Sequence, residues 1–156
     1  MKGSMADEIR KFGNVVTGVD YEPRPGGYVV ALDAGGAIAV VSTPRGFFLP
    51  GGGQEAGESP EDAAIRETRE ECGLRIRLGG RICTADEFVL GAEDGRNYRK
   101  CCVFFLAEVV ARVGDAAEAD HQLVWMSPEE AMTRLSPEIQ RWAVEEATRT
   151  LPRPGE

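Results

Sequence analysis

GGGQEAGESPEDAAIRETREECGL, residues 51–74, reads as a glycine loop, a capped helix and a stop. Ser59 suits the N-cap, because its hydroxyl can accept from a first-turn N–H that has no helical partner. Pro60 fits the first helical position, where its missing N–H costs nothing. Glu61 and Asp62 place negative charge at the positive end of the helix dipole, and Gly73 is placed to end the helix. The spacing predicts a helix over Pro60–Cys72. On it Glu67, Glu70 and Glu71 stand at i, i+3 and i+4, within an arc of about 100°. Ile65, Thr68 and Cys72 fall on another face, expected to be buried. Side-by-side carboxylates repel, by a few tenths of a kcal/mol per exposed pair. Such a face is either a solvated acidic surface or an oxygen-donor set for a hard divalent cation, which would remove the repulsion.

The same stretch resembles the Nudix box of the Nudix hydrolases (MutT-like), G-x5-E-x7-R-E-U-x-E-E-x-G-U with U a bulky aliphatic residue. Gly52 opens it, Glu58 is its first Glu, Arg66-Glu67 its R-E pair, Glu70-Glu71 its E-E pair, and Gly73-Leu74 its end. The one departure is Thr68 at the first U position, which touches helix packing and not the acidic positions. The resemblance implies an α/β/α sandwich with a mixed sheet and a loop–helix–loop catalytic motif. It implies hydrolysis of a phosphoanhydride in a nucleoside diphosphate linked to another moiety, with Mg²⁺ or Mn²⁺. It assigns the metal to Glu67, Glu70, Glu71 and the carbonyl of Gly51. Arg66 would pair with box carboxylates and hold them in place, and Glu58 would anchor that arginine or complete the outer shell. The general base varies in the family: Glu70 is one choice, and an acid on a later loop, here Glu118 ahead of Asp120, is another. Family members often form homodimers. A catalytically silent nucleotide-binding or sensor module is the alternative. It usually lacks one of the three helix acids, and all three are present here.

Composition sets outer bounds. A chain of 156 residues with 42% hydrophobic residues is long enough for one domain with a real core, expected over 7–150. Met1–Ser4 before Met5 reads as a cloning remnant, and 151–156 as a frayed tail. A net charge of −8 argues against gripping long nucleic acid through its phosphates, but not against a small phosphorylated substrate. No apolar run approaches the roughly 20 residues of a membrane span, and no signal-peptide pattern opens the chain, so cytoplasm is the expected location. With His121 the sole histidine, a multi-histidine metal site is excluded. Cys72, Cys83, Cys101 and Cys102 form no C-x-x-C and read as core thiols.

Along the chain, Asp7–Arg24 reads as an early strand carrying Val15, Val16 and Val19, with an exit at Pro23 and Pro25. Gly27–Leu32 and Ala37–Ser42 read as a hairpin across the turn formers 33–36. Phe47 and Phe48 point opposite ways; Phe48 either packs in the core or stacks on a base. Leu74–Leu78 alternates as a half-exposed strand, Gly79-Gly80 reads as a turn, and Arg81–Leu90 as a further extended stretch. Tyr98–Val110 is the longest apolar strand, expected mid-sheet. Arg96, Asn97, Arg99 and Lys100 at its start are the densest cationic spot, either a grip for a distal phosphate or a charged loop. Gln122–Met126 is a last strand. Ser127-Pro128 and Ser136-Pro137 repeat the cap-and-proline opening, predicting helices over 128–135 and 137–149. Ile139, Trp142, Ala143 and Ala147 make a core-facing stripe.

Subfamily marks are sparse. There is no Pro between Pro60 and Pro128, no Tyr in Val89–Ala92, and no SQPWPFPxS. In the resembled family these mark ADP-ribose, dinucleoside-polyphosphate and NADH-type members respectively, so the resemblance leaves a nucleoside triphosphate or nucleotide sugar.

Overall fold

Helix α1 runs from Pro60 to Cys72, the predicted span. Its start is a reciprocal capping box: the Asp62 N–H donates to Ser59 Oγ (3.0 Å), and the Ser59 N–H donates to Asp62 Oδ2 (3.1 Å). Its end is Gly73 in the left-handed region (φ 66°), whose N–H donates to the Arg69 carbonyl. The structure, a computed structural model, describes residues 9–151. Residues 1–4, read above as a remnant, residues 7 and 8 of the expected domain and early strand, and residues 152–156 of the tail read over 151–156 lie outside the described residues.

Eight strands form one mixed sheet: β1 Arg10–Gly13, β2 Glu22–Leu32, β3 Ile38–Thr43, β4 Gly46–Phe48, β5 Gly51–Gly53, β6 Leu74–Val89, β7 Tyr98–Arg112 and β8 Gln122–Met126. The order is β1-β6-β7-β2-β3-β4, with β5 added to β2 and β8 to β3. The pairs β1–β6 and β2–β7 are parallel and the others antiparallel. As expected, β7 lies mid-sheet.

Successive strand residues point to opposite faces, and the core divides accordingly. Val30, Val40, Cys102 and Phe104 pack under the two C-terminal helices, α2 Pro128–Arg134 and α3 Glu138–Thr150. Val29, Ala31, Val41 and Phe105 pack on the other face with Ala64 and Cys72 of α1. Helices therefore cover both faces of an open sheet, the α/β/α sandwich. Ile139, Ala143 and Ala147 are buried as expected, and Trp142 packs on Phe12 at 5.3 Å between ring centroids.

Several expectations are corrected. Ile65 is 44% exposed; Ala63 and Ala64 join Thr68 and Cys72 on the buried face of α1. Val15 and Val16 are exposed and lie outside any strand. Pro23 and Pro25 do not end a strand but lie within β2. The β2–β3 hairpin pairs only at Leu32–Ile38, after which β3 is taken by β4 and β8. Gly79-Gly80 is not a turn: β6 is one strand, and the ladder to β7 shifts register between Leu78 and Arg81. Ser136 does not cap α3, whose N-cap is Pro137; its Oγ instead accepts the Phe47 N–H. Among the described residues no helix is long and apolar enough to cross a membrane.

Candidate active site

Arg66 is the hub of the box. Its Nε and Nη2 clasp both oxygens of Glu58, at 2.7 and 2.9 Å. Nη2 also donates to the Gly53 carbonyl (3.1 Å) and Nη1 to Glu70 Oε1 (3.2 Å), while Glu67 Oε2 lies at 3.5 Å and Glu55 Oε2 at 3.8 Å. The Arg66 hydrogen bonds hold the Glu58 carboxyl down at about 2, and the same contact raises the guanidinium further. One cation thus serves four carboxylates and is spent mainly on Glu58.

Glu71 is outside that set. Its Oε1 accepts the Gly51 N–H at 2.9 Å, and among the described residues it makes no salt bridge. Burial, then the charges of Glu67, Glu118 and Glu70, push its carboxyl up to about 8 against that one hydrogen bond. Burial raises Glu67 as well, opposed by Arg66. Glu67 lies against the glycine strand: a Cβ on Gly52 would sit 2.4 Å from its Oε2, so only glycine leaves the carboxylate its place.

Glu67 and Glu71 line a cavity of about 630 Å³ with Gly51, Tyr28, Phe48 and His121. Glu70 is exposed and is not part of the lining. The loop after β7 is tied to the end of α1 by two backbone bonds, the Val113 N–H to the Gly73 carbonyl and the Ala117 N–H to the Glu70 carbonyl, both 2.7 Å. This brings Glu118 close enough to act on Glu71. Glu118 Oε2 lies 3.1 Å from His121 Nε2, with Asp120 Oδ1 at 3.9 Å.

The other predicted site residues divide by strand parity. Phe48 is half-buried in the cavity wall, while Phe47 packs against the core under Arg134, whose guanidinium lies 4.7 Å from its ring. Arg99 does not reach the cavity: it pairs with Asp86 on the opposite face of β7 (3.3 Å). Arg96 pairs with Glu22 at 3.6 Å, away from the lining. Lys100 does line it, as do Arg24 and Glu87, which the sequence reading passed over. Counting back by twos from Tyr28 to Gly26 and Arg24 would have found Arg24, had the prolines not obscured the strand.

The box offers oxygen donors, the type a hard divalent cation takes, but Glu67, Glu70 and Glu71 are not gathered around one point: among the described residues the side chains whose ligand atoms lie within 4.8 Å of one another are Glu118, Asp120 and His121 on the neighbouring loop.

Comparison with known proteins agrees with this geometry. The NUDIX domain matches residues 22–147. A mouse protein, diphosphoinositol polyphosphate phosphohydrolase 3-alpha, is 27% identical over 89 residues, 57% of this chain. The match spans only 52% of that relative's length. The solved structure of a MutT protein from Methanosarcina mazei Go1 superposes with a TM-score of 0.68 at 20% identity, covering 84% of this chain and 96% of that one. A MutT NUDIX hydrolase from Burkholderia pseudomallei gives 0.58 at 25% identity, covering 80% and 98%. With the domain matched from β2 into α3 and the box intact on α1, this chain belongs to the NUDIX family.

Proposed function

We propose that the protein is a Nudix pyrophosphohydrolase that cleaves a phosphoanhydride bond in a nucleoside di- or triphosphate derivative, with Mg²⁺ or Mn²⁺ held by Glu67, Glu70, Glu71 and the Gly51 carbonyl. The observation that carries this is the pair Glu67 and Glu71, half-buried in a cavity wall with too little positive charge beside them. A divalent cation bound there neutralises phosphate oxygens and lowers the pKa of an attacking water.

The chain's own residues do the rest. The Gly51 N–H fixes the rotamer of Glu71. Arg66, clasped by Glu58, holds Glu67 and Glu70 at fixed spacing and so acts by positioning. Glu70, exposed on α1, or Glu118 on the neighbouring loop, takes the proton of the attacking water. Phe48 offers a flat apolar wall for a base. Catalysis of this kind is mostly placement and charge stabilisation, which suits a site preorganised by a rigid helix and a glycine strand.

The test is release of phosphate or pyrophosphate with and without Mg²⁺. The panel holds ordinary and oxidised nucleoside triphosphates, nucleotide sugars, ADP-ribose and dinucleoside polyphosphates. Diphosphoinositol polyphosphates are added because of the mouse relative's name. Metal-dependent turnover that disappears in Glu70→Gln or Glu71→Gln is the expected result. A flat panel with tight nucleotide binding by calorimetry would replace the enzyme with a sensor module.

A further inference from the structure

Three polar side chains are buried among the described residues: Thr68, Asp86 and Gln140. Two have evident partners, since the Thr68 hydroxyl donates to the Ala64 carbonyl and Asp86 pairs with Arg99. Gln140, 6% exposed in the first turn of α3, is satisfied at one end only. Its Oε1 accepts the Leu49 N–H at 2.7 Å. An N–H can bond only the oxygen of a carboxamide, so this contact fixes which way the group is turned. The NH2 has no partner among the described residues. It is not sealed in, because among those residues no side-chain nitrogen or oxygen cut off from solvent lacks a partner. Gln140 lines the cavity, so its free donors open there.

The frame around this amide is tied down. Strand β4 is stitched to the start of α3 on both sides of Phe48: the Phe47 N–H donates to Ser136 Oγ (3.1 Å), the Ser136 N–H to the Phe47 carbonyl (2.9 Å), and the Leu49 N–H to Gln140. Phe48 and the Gln140 amide thus reach the cavity from one framework, with Val41, Pro137 and Ile139 also in the lining. Neighbouring polar groups are engaged, Thr43 with the Gly46 carbonyl and the Arg45 N–H, and Arg45 with Glu93. An apolar wall with fixed donors suits a flat ligand with acceptors on its edge. Glutamine reads adenine with both halves of its amide, the oxygen to the 6-amino group and the NH2 to N7. Here the oxygen is committed to Leu49. The remaining NH2 finds two acceptors on a 6-oxopurine, O6 and N7, but an opposing amino group beside N7 on adenine. We propose that Gln140 selects the base of the substrate, favouring one with an exocyclic carbonyl at that edge (guanine, hypoxanthine or uracil) over adenine or cytosine, while Phe48 stacks on its face. This rests on the nucleotide reading of the cavity and not on hydrolysis.

Binding and turnover test it separately. In EDTA, the monophosphates of inosine and adenosine, which exchange a 6-carbonyl for a 6-amino group, are titrated into the full chain and followed by NMR of the Gln140 side-chain NH2. Uridine and cytidine monophosphates repeat the comparison on a smaller ring. The carbonyl member of each pair should shift that resonance and bind about tenfold or more tightly, the scale of one buried hydrogen bond. Equal binding within the pairs, or binding that leaves Gln140 unmoved, overturns the proposal while the nucleotide reading stands. No binding by any of the four overturns both. Gln140→Met removes the donors at similar volume, and Gln140→Glu keeps an acceptor for the Leu49 N–H. In either the preference should fall to about one or reverse. A preference that survives in both variants, folded by circular dichroism, sinks the proposal. With Mg²⁺, the triphosphates of inosine and adenosine should show the same preference in kcat/KM. No turnover of either, beside an intact binding preference, ends the hydrolase reading and leaves the role of Gln140 standing.

Discussion

Alanine at position 52 is the sharpest probe of the acidic site, because it changes a residue with no chemistry of its own. The backbone permits it: Gly52 is not among the positive-φ glycines. Space does not. The new Cβ would sit 2.4 Å from Glu67 Oε2, 2.7 Å from Cδ and 3.0 Å from Cγ. An ordinary contact begins near 3.4 Å, so the carboxylate must retreat by about 1 Å. Helix α1 cannot absorb this, since Ala63, Ala64, Thr68 and Cys72 are packed solid against the sheet. The side chain gives instead. A displacement of this size at a reacting centre costs on the order of 10²-fold in rate, or about 2.7 kcal/mol of transition-state stabilisation. The fold should lose no more than about 1 kcal/mol. The assay is three-part: thermal unfolding, Mg²⁺ titration by calorimetry, and turnover of whichever substrate the panel finds. Expected are a nearly unchanged Tm, weakened Mg²⁺ binding and a rate reduced about a hundredfold. Adding Glu67→Asp, which withdraws the carboxylate by one methylene, should restore part of the loss. A G52A protein with wild-type metal binding and rate would refute the claim that Glu67's position matters.

Three further outcomes follow from the same contacts. Arg66→Lys replaces a two-pronged clasp of Glu58 with a point charge and should lower the metal-dependent rate about 10- to 100-fold with the circular dichroism spectrum unchanged; a wild-type rate would make Arg66 a surface residue with good geometry. Glu58, held at about 2 by Arg66, is depressed in the folded state, so its contribution is present above its unfolded pKa and is lost as pH falls through about 2. Carboxyl NMR should place its midpoint near 2 in the wild type and in the ordinary carboxylate range in Arg66→Ala. Glu71→Gln keeps an oxygen for the Gly51 N–H while removing a carboxyl whose ionisation burial opposes, so the metal-free protein should melt higher than wild type at neutral pH. It should also lose the Tm gain from saturating Mg²⁺, which for wild type corresponds to about 2.7 kcal/mol at a hundred times Kd; a retained gain would place the metal elsewhere.

How much was legible follows from where each signal resides. Helix α1 was readable to the residue because its limits are local chemistry, a capping box and a glycine stop. The prolines misled because a single sequence does not say which side of a strand is paired. In β2 the Glu22 N–H donates to Asn97 on the β7 side (2.9 Å), so the Pro23 and Pro25 nitrogens, one position out of phase, face away from that ladder. Nothing is lost by their missing N–H groups. Gly79-Gly80 fits a turn or a bulge equally well, and only the length of the β7 partner selects the bulge. The cationic spot was located but its cavity-facing side was not. Tyr98–Arg112 is apolar on both sides, so only the packing of Cys102 and Phe104 under α3 shows that Lys100 shares their face and Arg99 does not.

That division of faces also explains why the acidic site is built on glycine. Helix α1 lies on the face of Val29, Ala31 and Phe105, whereas the cavity opens on the opposite face, over Tyr28, Lys100 and Phe104. Carboxylates on a helix are ordinarily screened from a cavity on the far side of a sheet by the strand between them. Here that strand is β5, three residues long, paired with β2 alone and without side chains. Glu67 passes beside it at Gly52, and Glu71 turns onto its Gly51 N–H. A short glycine edge strand is therefore the means by which acids held rigidly on one layer reach the cavity on the other. The same arrangement accounts for the burial of Glu67 and Glu71 while Glu70, one turn of the same helix but off the strand, stays in solvent.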